Sequence, residues 1–545
     1  MTGALEPLSI SATGAAADAI ARHVPDLVGD KFASRLFDKD ASLWGEDAES
    51  EAGIRLGWTG LHRTSRPLLG AIAALREELR DEGADHVVLC GMGGSSLAPE
   101  VICATTGVEL TVLDSSDPSQ VAAALADRLE RTVVVVSSKS GSTVETDSQR
   151  RAYVDAFTRA GIDPTRRVVI VTDPGSPLDV QSRADGYRVV NADPEVGGRF
   201  SAMTAFGLVP SGLAGADIEA LLDEADAVAD LLADDDEGNP ALRLGAAMAG
   251  TDPPRDKLVV VDDGSGLAGF GDWAEQLVAE STGKDGKGIL PVVVDDSSDP
   301  EVALPPQDTT VVHLTRDTDD DPETVVTHGT GGSDVTLTGA LGAQMLLWEA
   351  ATAVAGRLLG INPFDQPDVE SAKKAARSML EGSPDQDPPL FTDGPVEVRS
   401  LGGAADDAGS LREAVDALLA RLDPDRGYVA VMAYLDRLRH ADLASARRAL
   451  AVRTKRPVTF GWGPRFLHST GQLHKGGPGV GVYLQVTGAA EPDLGVPGRD
   501  YTFGRLIAAQ AAGDARVLAD HGRPVLRVHL TDVEAGIVAL REALG

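Results

Sequence analysis

Two cysteines, Cys90 and Cys103, are all that 545 residues provide, so the chain has no disulfide framework and no cysteine zinc pattern, and it reads as a protein of a reducing compartment. Aromatic residues are scarce at 4%, and no uninterrupted apolar run nears the roughly 20 residues that cross a bilayer, so no membrane partner is expected. The opening stretch MTGALEPLSISATGAAADAIARHV lacks a basic segment followed by an apolar one, which predicts no secretory signal and a cytoplasmic protein. Positive charge is also short. The 49 Lys and Arg face 84 Asp and Glu, a formal net charge of −35, which repels nucleic acid and anionic membranes at long range and excludes them as main partners. Lysine is the rarer cation, so a lysine inside a glycine- and serine-rich turn stands out. The acidic runs Asp234-Asp235-Asp236-Glu237 and Asp319-Asp320-Asp321 end against Gly or Pro and read as solvated loops rather than metal sites.

What is present is size and alternation. The length exceeds one ordinary domain of about 100 to 200 residues, and 43% hydrophobic with 24% charged residues is a globular balance. Short apolar strands alternate with helical stretches, the pattern of parallel α/β units. His86–Cys90, Thr132–Ser137, Arg167–Thr172 and Tyr187–Asn191 form one set of predicted strands. Lys257–Asp262, Gly288–Val294 and Thr310–Leu314 form a second, followed by a long helix over Gly339–Leu359. Tyr428–Tyr434, Pro457–Gly461, Val480–Val486 and Pro524–Leu530 form a third. The acidic linker Ala233–Pro240 and the Pro/Asp/Gly-rich stretch Gly382–Gly403 are the candidate boundaries. The expected division is an N-terminal helical segment (1–60), two α/β domains (61–235 and 240–385) and a C-terminal α/β domain (400–545). No short-period repeat is visible.

Two strand ends carry the chemistry. Gly91-Met92-Gly93-Gly94-Ser95-Ser96 follows HVVLC, and Ser138-Lys139-Ser140-Gly141-Ser142-Thr143 follows TVVVVS. A strand that turns through glycines and hydroxyls into a helix offers free backbone N–H groups at the positive end of the helix dipole, which suits phosphate. As a purely structural feature the second stretch is an N-cap cluster, with Ser142 or Thr143 capping and Glu145 in the first turn. Neither stretch has Walker A spacing. A dinucleotide fingerprint would need glycine at Ser96, and no ribose-binding acid ends the next strand, so neither a nucleoside triphosphate nor a nicotinamide cofactor is expected.

GMGGSSLAPE and SSKSGSTVET resemble the paired phosphosugar loops of the sugar isomerase (SIS) domains, specifically those of the glucose-6-phosphate isomerases. Gly197-Gly198-Arg199-Phe200-Ser201, the stretch Glu275 to Lys284 and the stretch Asn362 to Glu370 agree with that family in the same order. From LWGED to RFLHSTGQLHKGGP the chain is most similar to the isomerase part of actinobacterial and cyanobacterial transaldolase/isomerase fusions, with no transaldolase activity expected. The fold class this implies is α/β, with parallel-sheet, three-layer SIS domains in tandem plus a C-terminal α/β extension. The implied activity is interconversion of D-glucose 6-phosphate and D-fructose 6-phosphate, by ring opening and C1–C2 proton transfer through an enediolate. A broader isomerase that also takes mannose 6-phosphate, and a non-catalytic phosphosugar-binding regulator, are the alternatives.

By the same resemblance Glu280 is the base, Arg199 steadies the enediolate, Lys373 assists ring opening, and Gln276 and Gln366 contact substrate. Gly94, Ser95, Gly198 and the loop Ser138, Lys139, Ser140, Gly141, Ser142 and Thr143 hold the sugar phosphate. The chemistry agrees, since a positioned base contributes about 10²- to 10⁴-fold and a guanidinium stays charged beside an oxyanion. Lys374, an i,i+4 neighbour of Glu370, is expected to be a surface residue. The family's ring-opening histidine, often supplied by a neighbouring subunit, has no matching segment after Glu280. His313 and His328 read as strand-end and loop residues, which leaves His468 or His474 from the C-terminal unit. No cofactor or metal is implied. A homodimer with shared sites is the implied assembly, with completion of the site by the C-terminal unit of the same chain as the alternative.

Overall fold

The computed structural model describes residues 7–316, 332–368, 380 and 388–545. Lys373, Lys374, His328, Glu370 and the run Asp319 to Asp321 lie outside the described residues.

β-Branched runs decide where the strands lie. The residues 1–60, expected to be helical, open instead with a strand, β1 (Ser9–Thr13), before the helix Gly14–Gly29. The first sheet then takes β2 (His86–Gly91), β3 (Thr111–Leu113), β4 (Thr132–Ser137), β5 (Val168–Thr172) and β6 (Arg188–Asn191). Its order is β3-β2-β4-β5-β6, parallel throughout. β2 and β4 are buried along their whole length, as expected of valine-rich strands covered on both faces.

The second sheet contains β7 (Lys257–Asp262), β8 (Leu290–Val294), β9 (Thr309–Leu314) and β10 (Ser333–Thr338), in the order β8-β7-β9-β10, with β1 antiparallel at the far edge. The third holds β11 (Phe391–Asp393), β12 (Val396–Leu401), β13 (Tyr428–Tyr434), β14 (Val458–Trp462), β15 (Gly481–Gly488) and β16 (Val525–Leu530). Its parallel part runs β14-β13-β15-β16, and β12 and then β11 continue it antiparallel, with β11 at the edge. All three sheets therefore share one plan. The first parallel strand is central, the second flanks it on one side, and the third and fourth follow on the other. In such an order a crevice opens at the carboxyl ends of the first and third strands, where successive connections leave in opposite directions.

The first two sheets share one apolar cluster, which runs from Ala16 to Phe364 and includes the buried Trp58, Trp273 and Trp348. The helix Leu341–Leu359 is its spine, with an unbroken buried run from Leu341 to Gly356. The third sheet has its own cluster. Two further clusters join it to the others: Val259, Val292 and Val311 pack with Ala430, Met432 and Tyr483, and Val88, Val134 and Ile170 with Val496 and Phe503. Ion pairs fasten the same joints, buried at Arg447 and half-buried at Arg465. Arg447 reaches Asp299 at 2.6 Å and Glu301 at 2.7 Å, while Arg465 reaches Asp114 at 2.8 Å and Glu100 at 2.5 Å. Removing Arg447 strands two buried carboxylates, at about 3–5 kcal/mol.

Candidate active site

The two glycine/serine turns lie on either side of the crevice between β2 and β4. After β2 the chain makes a single turn over Gly93–Ser95 and enters the helix Leu97–Thr105. Gly93 has φ +56° and lies against His468: a Cβ there would be 2.7 Å from the His468 carbonyl oxygen. At Gly94 a Cβ would sit 1.9 Å from the carbonyl oxygen of Gly198, so the GMGGSS turn and the GGRFS turn touch backbone to backbone, which only glycine permits.

After β4 the chain turns through Ser138 to Thr143 into the helix Val144–Arg159. Thr143 is the N-cap residue, yet its side chain makes no capping bond. The Ser138 hydroxyl donates to Thr143 Oγ1 at 3.3 Å and accepts the Gly141 N–H at 3.1 Å. Ser140 and Ser142 hydroxyls are 2.7 Å apart. The loop hydroxyls are thus ordered by one another at the mouth of a helix dipole. The Lys139 ammonium turns aside to Asp173, at 2.7 Å, and to the Pro194 carbonyl, so the loop's own lysine contributes its backbone to the corner rather than a free charge. Glu145 does not cap either. It is buried and accepts hydrogen bonds from His468 Nε2 at 3.0 Å and Gln510 Nε2 at 2.6 Å.

Gln276 and Glu280 stand one turn apart on the helix Phe270–Thr282, hence on one face. Gln276 Nε2 donates to Glu280 Oε2 at 3.0 Å and to the His468 carbonyl at 2.7 Å. Glu280 is 6% exposed, and its other oxygen is 3.5 Å from Arg199 Nη1. Arg199 is 3% exposed. Its Nε donates to Ser281 Oγ at 2.7 Å, Nη1 to Gln366 Oε1 at 3.0 Å, and Nη2 to the carbonyls of Pro363 and Asp365 at 2.6 and 3.1 Å. A guanidinium has five N–H donors. Four are committed to the scaffold, and the fifth is left on the side of Glu280. Burial lowers the Arg199 pKa from its ordinary value, opposed chiefly by Glu280.

Lys284, quoted in the motif above without a role, proves to be the second cation of the site. It is buried, and its ammonium donates to the carbonyls of Asn362 and Asp365 and to Asp365 Oδ1, all within 2.6–2.7 Å. Burial, then Arg199, draws its pKa down to about 8. Arg199 and Lys284 together pin the segment Asn362 to Gln366, which carries Gln366 to the site. Spacing alone gave no sign of this, because the partners are backbone carbonyls about 80 residues away. Gln510 was equally invisible, as one of several polar residues on an amphipathic helix.

The two C-terminal histidines part company. His468 lies between the GMGGSS turn, Gln276 and Glu145. His474 is 2% exposed and sits 3.0 Å from the Tyr428 hydroxyl, with its ring against Tyr428 and Tyr483. Burial, helped by Lys475 and Arg523, holds its pKa down to about 3. On the helix Gly471–Gly476 it is packed against the two tyrosines of the third sheet. His313 pairs with Asp263 at 2.5 Å at the end of β9. Among the described residues no group of three His, Cys, Asp or Glu side chains is arranged to hold a metal ion, and no helix is long and apolar enough to cross a membrane.

The family model described as phosphoglucose isomerase matches residues 80–241, which span both turns and Arg199. The chain is 31% identical over 407 residues to a protein of Natronomonas pharaonis named as a probable glucose-6-phosphate isomerase, covering 67% of this chain and 94% of that one. It is 32% identical over 389 residues to the glucose-6-phosphate isomerase of Rubrobacter xylanophilus, covering 59% and 89%. A crystal structure of a hypothetical protein from Thermus thermophilus superposes with a TM-score of 0.57 at 27% identity, over 68% of this chain and 100% of that one. With relatives covered almost end to end at this identity, and with both glycine/serine turns inside the matched region, the chain belongs to the phosphoglucose isomerase family.

Proposed function

We propose that the protein interconverts glucose 6-phosphate and fructose 6-phosphate, a step of glycolysis and gluconeogenesis, with Glu280 as the proton-transfer base. The observation that carries this reading is the Glu280 carboxylate, buried between the Gln276 amide and the Arg199 guanidinium, on a site flanked by the two glycine/serine turns. The phosphate is the handle. Backbone N–H groups and the hydroxyls of Ser138, Ser140, Ser142 and Thr143 hold it at the start of the helix Val144–Arg159, with Gly94, Ser95 and Gly198 lining the opposite wall. Binding energy remote from C1 and C2 then sets those carbons against Glu280.

Glu280 removes the proton from C2 of the open-chain aldose and returns it to C1, while the O2 hydroxyl proton passes to O1, so one carboxylate suffices for the transfer between carbons. Negative charge that develops on the enediolate oxygens meets the fifth N–H of Arg199, already oriented by its four other bonds and needing no rearrangement. Ring opening falls to His468. Its Nε2 donates to Glu145, so the proton sits on Nε2 and Nδ1 is the nitrogen available for exchange with the sugar. Lys373 is assigned to the same step by resemblance. The sugar-phosphate substrate and the two buried free thiols, Cys90 and Cys103, suit a cytoplasmic enzyme.

The test is a coupled assay of fructose 6-phosphate conversion. Glu280→Gln should cost about 10²- to 10⁴-fold in kcat and abolish deuterium incorporation at C2. Wild-type turnover in that variant would remove Glu280 from the reaction and with it this reading.

A further inference from the structure

The resemblance leaves open whether a second subunit or the C-terminal unit of the same chain completes the site. Resting on the reading of the site given above, we propose that the C-terminal unit is a built-in part of the reaction centre, so that one chain is catalytically complete, and that Gln510 is the residue through which it positions His468.

The C-terminal segment from Arg465 to Gly477 is threaded between the first two sheets and attached to both. At its start Arg465 is held by Asp114 and Glu100 of the first sheet's region. At its middle the His468 carbonyl accepts the Gln276 amide, in the gap that Gly93 leaves open. Further on, Gln472 donates to the Gly283 carbonyl at 2.9 Å and accepts the Asp368 N–H at 3.0 Å. Leu473 lies so close to Gly283 that a Cβ there would be 2.3 Å from its Cα. These attachments fall on the helix of Glu280, on the segment of Gln366 and on the GMGGSS turn. The backbone of His468 is thus fixed relative to every other group assigned to the reaction among the described residues, within one chain.

Its ring is fixed by Glu145, and Glu145 in turn by Gln510. Gln510 lies on the helix Phe503–Asp520 of the C-terminal unit and is 2% exposed. Its amide donates at 2.6 Å to the same Oε1 that accepts His468 Nε2. One carboxylate oxygen therefore carries two N–H donors from the C-terminal unit, while its backbone belongs to the helix after β4, in the phosphate corner. Without the Gln510 donor the carboxylate loses a charge-assisted bond that sets its rotamer, and the imidazole it orients is free to turn. Gln510 does not touch substrate; it is a positioning residue, and its effect should fall on turnover and leave the phosphate grip alone.

Two measurements test this. First, Gln510→Met keeps the volume and removes the donor; kcat should fall about tenfold, with KM within about twofold and the unfolding temperature unchanged. A kcat equal to wild type, or a fall in kcat accompanied by a raised KM and a lowered unfolding temperature, overturns the positioning role. Second, Glu280→Gln and His468→Gln chains carrying different tags are produced together in one cell, and the doubly tagged fraction and the total pool are assayed. Activity no greater than the sum of the two variants is expected. Recovery above that sum means sites assembled between chains, and the proposal falls. The Glu280→Gln chain assayed alone separates the cases: if it is active, the reading of the site has failed, whereas an inactive one that is rescued by its partner condemns only completion within one chain.

Discussion

The first and second sheets are built to one plan and put opposite chemistry at the same place. Between β2 and β4 the corner is glycine, hydroxyl and free helix dipole. Between β7 and β9 it is carboxylate. Asp262 accepts from the N–H groups of Gly264 and Ser265, and Asp263 accepts from Ser297 at 2.5 Å and pairs with His313. Asp334 stands 3.9 Å from the other ring nitrogen. The first corner suits an anion, while the second repels one and satisfies its donors internally. What the second sheet gives to the site is the helix that follows β7, with Gln276 and Glu280 on it. A shared strand order fixes where a crevice opens, and loop residues decide whether that crevice binds anything.

Three variants press on that contrast. Gly94→Ala attacks the first corner most severely, because the new Cβ meets the Gly198 carbonyl at 1.9 Å, and neither backbone can yield without moving Arg199. We expect kcat/KM to fall by about 10²-fold, with about 1–3 kcal/mol lost from stability in denaturant titrations. Wild-type kinetics would mean that the two turns need not touch. A milder change is the double substitution Ser142→Ala with Thr143→Val, which removes two hydroxyls and leaves Glu280 and Arg199 alone. KM for the sugar phosphate should rise about tenfold with kcat nearly constant. A loss confined to kcat would take the phosphate away from that loop.

The smallest effect on activity belongs to the second corner. His313→Asn should leave kcat and KM unchanged while making stability depend differently on pH. Burial opposes the charge on His313, but the hydrogen bond to Asp263 and the nearby Asp334 carboxylate outweigh it and raise the pKa to about 9. A raised pKa stabilises the folded state in full below the unfolded value of about 6.5, and that contribution is lost as pH climbs through about 9. The variant should therefore be less stable than wild type by up to about 3 kcal/mol at pH 6, and the gap should close near pH 10. A pH-independent gap, or a loss of turnover, would erase the division between a binding corner and a structural one.

Much of this was legible before folding. The valine-rich strands β2, β4, β5, β7 and β9 begin and end within a residue of their reading, because a parallel strand buried on both faces needs an unbroken β-branched run. The strands that escaped notice are short or polar. β3 has three residues, β10 reads SDVTLT, and β1, β11 and β12 are antiparallel strands at the margins of their sheets, β1 and β12 with partners distant in sequence. The threefold plan was hidden because it resides in strand order, which no short-period repeat records. Of the residues proposed for the site, Glu280, Gln276, Arg199 and Gln366 were named through motif resemblance, and the fold brings them together. The choice between His468 and His474 could not be made from a glycine-rich loop in which both stand in similar company. The proposed choice of His468 rests on Tyr428 and Tyr483, which enclose the His474 ring, and on Glu145, which receives that of His468.

By itself the sequence determined that parallel α/β units would form and that two of their strand ends would suit a phosphate, since both follow from local composition: β-branched runs, glycines and hydroxyls at helix starts. Only the tertiary structure decided which charges work together. Arg199, Lys284, Glu145 and Gln510 take their roles from partners brought across the chain, and burial makes each pairing obligatory, because an unpaired charge or amide inside the protein is costly to leave unsatisfied.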